Sequence, residues 1–234
     1  YCAGSIKMRD SHITKLNTVG MEVKKFENNR WQREDQKIQF RHKATIAMID
    51  SGTVLDLGSG DGLLLSLLEA KGIKGKGLDL AEEGVRKANA RGLDTQVFDF
   101  GNEKLPFPDS NFDTVVMLDI LEHLYDPESV LKEAVRVSKK NVIVGVPNFN
   151  SLPARLQVLF GKIPENNQPK KGHVYWFNYS VLAKMFSNAH LLPVYIESNT
   201  FFEHVPVVGS ITRFFTAIFP NVFGLSFVLK ARKL

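Results

Sequence analysis

Residues 54–62 read Val-Leu-Asp-Leu-Gly-Ser-Gly-Asp-Gly, three alternate glycines after an apolar run that holds one acid, Asp56. Glycine takes positive φ cheaply and lets a ligand lie against the main chain. A strand, a glycine turn and a helix form the nucleotide-site element of open α/β sheets. The spacing here is G-x-G-x-G, and Leu63 stands where the third glycine of a dinucleotide fingerprint belongs. No Lys-Ser/Thr pair follows, so the turn is not a P-loop. Asp56, two residues before Gly58, would repel a pyrophosphate and suits a cation. A tight turn with no ligand is the plainer alternative.

Three more acids fall at or just past expected strand ends: Asp79, Asp99 and Asp119. Asp79 lies 21 residues after Gly58, where a carboxylate can accept both hydroxyls of a ribose. Asp99, between Phe98 and Phe100, can take the exocyclic amine of adenine while an aromatic ring packs on its face. Each acid alone reads equally well as a surface or capping residue. Together, at the carboxyl ends of neighbouring strands, they converge on one site. His123 and His173 are the candidate proton acceptors, since imidazole titrates near neutrality. Each has a structural alternative, His123 packing beneath the site and His173 anchoring its loop. Glu122 reads as orienting rather than basic.

The elements that must hold these residues alternate. A helix is expected over 37–49 with Ile38, Ala44, Met48 and Ile49 on one face. Strands are expected over 53–57, 75–80, 95–100, 112–118 and 141–146, with helices near 61–71, 82–91 and 127–138. Such alternation means βαβ units and a parallel sheet. Residues 148–178 then turn irregular around a short helix near 153–160. A helix near 179–190, a strand over 192–198, an insertion over 199–221 and a strand over 222–231 follow, as an antiparallel edge hairpin. The expected organisation is a lead-in over 1–36 and one domain over 37–234, with acceptor-side insertions at about 148–178 and 199–221. The apolar stretch 201–229 reads most simply as a buried helix–strand layer; a cap over a greasy acceptor or a peripheral membrane patch are the other readings.

Composition is that of a globular chain: 234 residues, 44% hydrophobic and 24% charged. The one cysteine, Cys2, allows no disulfide framework, and no Cys/His zinc spacing is present, so no metal ligand set is read. The longest uncharged run, Phe214 to Leu229, has 16 residues broken by Pro220 and Gly224, short of a span. No apolar leader is visible near Tyr1, and a cytoplasmic protein is expected. Charge is uneven: residues 51–128 carry 7 basic and 15 acidic residues, residues 129–234 carry 13 and 4. Solvated surface explains this plainly. The sharper reading is a cationic cofactor in the acidic half and an anionic substrate over the basic half, Lys170 and Lys171 included.

Val54–Gly62, Asp79, Phe98–Phe100 and the run Phe112 to Leu124 (FDTVVMLDILEHL) resemble the class I S-adenosylmethionine-dependent methyltransferases, in the branch of the type 11 and 12 enzymes. The resemblance covers about residues 40–232. It implies a Rossmann-like α/β fold: a mostly parallel seven-stranded sheet with an antiparallel edge hairpin and helices on both faces. It also implies S-adenosylmethionine as methyl donor. By the same resemblance, Asp56, Gly58, Ser59 and Gly60 would hold the methionyl part, and Asp79 with Leu80 the ribose. Asp99 and Phe100 would hold adenine, and Leu118 and Asp119 would line the methyl side.

Asn148 to Pro164 resembles the corresponding stretch of MetW-type proteins of methionine biosynthesis. Gly172 to Phe177 resembles a Gly-His-x-x-x-Phe segment of small-molecule and glycan-associated methyltransferases. MetW-type proteins lack the Glu122-His123-Leu124 triplet and end earlier, so no methionine-pathway role is inferred. The implied acceptor is a small molecule, lipid or glycan precursor. Nucleic acid is not favoured, because an Asn-Pro-Pro-Tyr type signature is absent after the fourth strand. A non-catalytic regulatory partner and a nicotinamide oxidoreductase are the alternative functions.

Overall fold

The structure is a computed structural model. It describes residues 24–25, 28–29, 31, 37–99, 103–168, 171–203 and 205–234. Most of the 1–36 lead-in, and the candidates Phe100 and Lys170, lie outside the described residues. The described part of the lead-in is helical where an irregular segment was expected. Its Trp31 is buried, Lys24 pairs with Glu82 at 2.6 Å, and Asn28 accepts from the Glu83 amide at 3.1 Å.

In chain order the elements are α1 (Phe40–Met48), β1 (Val54–Leu57), α2 (Leu63–Glu69), β2 (Gly75–Asp79), α3 (Glu82–Ala90), β3 (Thr95–Val97) and β4 (Phe112–Leu118). A 3-10 turn (Leu121–His123) precedes α4 (Pro127–Val137), β5 (Ser138–Pro147) and α5 (Leu152–Leu159). A second 3-10 turn (Glu165–Asn167) leads to α6 (Tyr179–Asn188), β6 (Leu191–Thr200), α7 (Pro206–Ile218), α8 (Pro220–Phe223) and β7 (Gly224–Lys233). The seven strands form one sheet in the order β3-β2-β1-β4-β5-β7-β6. β7 runs antiparallel to both β5 and β6, and the other pairings are parallel, giving the expected sheet with its edge hairpin.

Strand side chains alternate between faces, and here both faces are apolar because helices cover both. Leu55, Leu57, Val115, Met117, Val142 and Val144 pack with Leu131 and Ala134 of α4 and Leu182 and Phe186 of α6. Val54, Val116, Ile143 and Val228 pack on the other face with Ala44 and Met48 of α1 and Leu64 and Leu68 of α2. Helix α4 starts where Asp126 accepts the Ser129 amide at 3.1 Å and Pro127 occupies the first turn. Ile38 departs from expectation: it precedes α1 and is 52% exposed.

The larger departure is α7. The buried layer expected over 201–229 holds for β7, whose Phe227, Val228 and Leu229 are fully buried. Helix α7 is instead turned inside out. Gly209, Thr212 and Thr216 face inward, and Val207, Ile211, Phe214, Ile218 and Phe219 are exposed. The inward threonines satisfy their hydroxyls within the helix, Thr212 Oγ1 donating to Gly209 O at 3.1 Å and Thr216 Oγ1 to Thr212 O at 2.7 Å. No helix among the described residues is long and apolar enough to cross a membrane.

Candidate active site

The strand order reverses between β1 and β4, and there the crevice of an open α/β sheet binds ligand. Gly58, Gly60 and Gly62 in the β1–α2 turn have φ of 79°, 53° and 79°, which glycine alone adopts without strain. A Cβ on Gly58 would fall 2.9 Å from Ile120 Cδ1, so the turn after β4 packs directly on the glycine turn. The turn's amides are engaged internally. Gly58 N and Ser59 N donate to Leu78 O at 2.8 and 3.1 Å, and Gly62 N to Ser59 O at 2.9 Å. Gly60 N donates to Asp79 Oδ2 at 2.7 Å. A phosphate cradle needs such amides pointing at the ligand; four of these are committed to the fold.

Asp79 Oδ1 also accepts from Ala81 N at 2.7 Å, so the carboxylate links the ends of β1 and β2. Asp56 is 3% exposed beneath the turn, and burial, then the Asp79 charge, pushes its carboxyl well above the usual range. Ser59 is buried and Leu80 half-buried beside them. Val97 is level with Asp79, and Phe98 N donates to Asp79 O at 2.9 Å, which carries the half-buried Asp99 past the end of β3 on the same edge. Leu118 ends β4, and Asp119 follows in the left-handed region at φ 51°.

Three participants were not singled out in the sequence. Arg41 of α1 pairs with Asp119 at 2.6 Å, which ties α1 to the end of β4. Buried Asp61 pairs with Arg91 at 3.3 Å. Buried His42 accepts the Gln39 amide on Nδ1 at 3.0 Å. Burial, then the neighbouring Arg41 charge, lowers His42 to about 4, against the opposing pull of Asp61. Asp61 carried a visible signal as the acid inside the glycine turn; the other contacts join residues distant in sequence.

The structure brings His123 and His173 together, their ring centroids 4.8 Å apart. Val174 N and Tyr175 N both donate to Glu122 O, at 2.8 and 3.0 Å, which zips the 172–175 segment to the 3-10 turn after β4. His173 Nε2 lies 4.0 Å from Glu122 Oε1, and Glu122 is 1% exposed. By contrast, Lys139, Lys140, Lys230, Arg232 and Lys233 line a cavity of about 690 Å³ at the opposite edge, where Asn141 near the start of β5 pairs with Arg232. Much of the basic half thus faces away from the glycine turn, contrary to the reading that placed an anionic substrate over it. Lys171 lies elsewhere, in the 148–178 stretch two residues before His173.

Residues 39–194 match the family described as methionine biosynthesis protein MetW. The chain belongs to the MetW family. The match takes in every element from α1 through α6, far more than the 148–164 stretch that resembled MetW in the sequence. This MetW-family chain is 29% identical over 158 residues to a ubiquinone biosynthesis O-methyltransferase of Hahella chejuensis, covering 60% of this chain and 66% of that one. It is 35% identical over 98 residues to ajmaline N-methyltransferase of Rauvolfia serpentina, covering 39% of this chain and 34% of that one. It therefore spans less than two thirds of the length of both relatives. Among solved structures, magnesium protoporphyrin IX methyltransferase of Synechocystis PCC 6803 with bound SAH superposes with a TM-score of 0.66 at 16% identity, covering 92% and 99% of the two chains. The MetW-family chain thus has the Rossmann-like class I methyltransferase fold.

Proposed function

We propose that this chain is a class I methyltransferase that uses S-adenosylmethionine to methylate a small-molecule, lipid or glycan-precursor acceptor. The observation that carries this reading is the glycine turn: its amides are engaged within the fold, and two buried acids, Asp56 and Asp79, lie against it. That chemistry disfavours the pyrophosphate of a nicotinamide cofactor and favours a cationic adenosyl ligand. The residues fit the donor. A cation near Asp56 would offset the burial that now raises its pKa. In this reading Gly58, Ser59, Gly60 and Asp56 hold the methionyl part, Asp79 with Leu80 the ribose, and Asp99 and Phe100 the adenine. Leu118 and Asp119 line the methyl side.

When bound, S-adenosylmethionine supplies a methyl on a sulfonium, whose S–CH3 electron pair stays on sulfur as the acceptor's lone pair forms the new bond. The chain's own work is alignment and exclusion of water, which can supply much of the acceleration. In this reading the imidazoles of His123, in the turn after β4, and His173, whose ring packs against it, are the candidates to take the acceptor's proton. The acceptor enters between the insertions after β5 and β6. Both leave the carboxyl edge of the sheet, since Pro147 pairs with Ser226 and Thr200 with Gly224.

Both insertions expose apolar side chains, Leu159, Phe160 and Ile163 in one and Phe214, Ile218 and Phe219 in the other. The first carries net positive charge, Arg155, Lys162, Lys170 and Lys171 against Glu165, and the second is balanced, Arg213 against Glu203. We therefore place the acceptor among amphipathic molecules met at an anionic lipid surface. Labelled-donor transfer to small-molecule and lipid pools, with and without anionic vesicles, tests this. Methyl incorporation is expected, raised by vesicles. MetW membership favours a second reading, a non-catalytic partner of another enzyme, which calorimetry showing no S-adenosylmethionine binding would support.

A further inference from the structure

We propose that Glu122, His123 and His173 bind a divalent transition-metal ion, such as Zn2+, on the acceptor side of the site. One candidate ligand atom from each of the three residues lies within 4.8 Å of the others. The arrangement of the two rings is specific. His123 Nδ1 lies 3.2 Å from Gly172 O, and His173 Nδ1 lies 2.7 Å from Asn166 O. A carbonyl oxygen only accepts, so each Nδ1 carries the proton. In the neutral rings each Nε2 is then the lone-pair nitrogen. Backbone carbonyls that fix the Nδ1–H tautomer are the usual outer support of metal-binding histidines.

The His173 Nε2 lone pair faces Glu122 Oε1 at 4.0 Å. A metal ion with bonds of about 2.1 Å, replacing any proton held there, can bridge a pair at roughly that separation. The widest pair must draw in by about half an ångström or more to share one ion. His123, on the more open side of the cluster, has room to move. Two nitrogens and one carboxylate favour a transition metal over Mg2+ or Ca2+ and leave coordination positions open. The supporting segments are held by the Val174 and Tyr175 amides on Glu122 O, so the cluster is preformed.

Under the methyltransferase reading, an open position would bind the acceptor's hydroxyl oxygen and lower its pKa. With the ion bound the proton would leave to solvent, and the histidines would serve as ligands in place of the base role given to them above. The binding claim itself does not depend on that reading.

The test is calorimetry of Zn2+ into the metal-stripped full chain, with the visible spectrum of the Co2+ form as a second readout. One ion per chain is expected, with affinity falling at least 10-fold in His123→Asn, His173→Ala and Glu122→Gln and the low-symmetry Co2+ bands lost. Circular dichroism of the stripped variants guards against misfolding, and half-buried His123→Asn gives a reading less sensitive to folding than a change at buried Glu122. Absence of binding by the parent chain overturns the proposal. So does binding unchanged in all three variants, which would put the ion elsewhere. S-adenosylmethionine binding measured on the same stripped protein separates the two claims: metal binding without donor binding leaves this site standing and sinks the proposed function, and the converse does the opposite.

Discussion

The Asp79 carboxylate closes the glycine turn by accepting the Gly60 amide proton at 2.7 Å, so the acid that ends β2 also shapes the loop after β1. With its second oxygen on the Ala81 amide, one side chain couples the ends of two strands.

Asp79→Ala removes the acceptor for two buried amides and should weaken both fold and donor binding. Hydrogen bonds to a charged group contribute about 1.5–3 kcal/mol each. We expect a fall of at least several degrees in melting temperature and a roughly 10- to 100-fold rise in the donor Kd. Calorimetry and thermal melts report the two effects separately. An unchanged Kd in a folded Asp79→Asn variant would remove Asp79 from the donor site.

Gly58→Val should be among the most damaging single changes. The residue sits at φ 79°, and a Cβ there meets Ile120 Cδ1 at 2.9 Å. A β-branched residue in the left-handed region costs about 1–3 kcal/mol before any clash is counted. Loss of soluble folded protein, or a folded protein with no donor binding, is the expected outcome in expression and calorimetric assays.

Much of this site was legible in the sequence because its acids and glycines sit at strand ends that alternation reveals. Strand β4 runs over Phe112–Leu118, as its apolar run between turn signals indicated. Arg41 and His42 were not legible, since their role depends on α1 crossing to Asp119 at the end of β4. Helix α7 was misread for a physical reason. Its phenylalanines suggest a buried layer, but the small residues Gly209, Thr212 and Thr216 face the core, and the large apolar ones face outward. Hydroxyls that bond back within their own helix make that inversion tolerable.

His42 should make the fold acid-sensitive. Its native pKa is lowered from 6.5 to about 4, so below pH 6.5 the unfolded chain binds the proton first. Stability from this residue is full above pH 6.5 and declines as pH falls towards 4. At about 1.4 kcal/mol per pKa unit the loss reaches roughly 3 kcal/mol. Urea melts of the parent chain and His42→Gln at pH 7.5 and 5 should show a clearly smaller pH dependence in the variant; equal slopes would contradict this.

The Arg41–Asp119 pair should couple measurably. Both side chains are partly buried, and a pair in that setting contributes about 1 kcal/mol after solvent screening. A double-mutant cycle of Arg41→Ala and Asp119→Asn, read by chemical denaturation, is expected to return coupling of that order. Asn tolerates the φ of 51° at position 119, so the cycle reads the ion pair rather than backbone strain.

The central claim is that the glycine turn between β1 and α2 holds a cationic adenosyl donor rather than a pyrophosphate. Isothermal titration of the full chain with S-adenosylmethionine, and in parallel with NAD, tests it most directly. The account predicts saturable binding of S-adenosylmethionine at one site per chain, weakened in Asp79→Asn, and no heat from NAD. Binding of NAD, or no binding of S-adenosylmethionine by a folded chain, would contradict it.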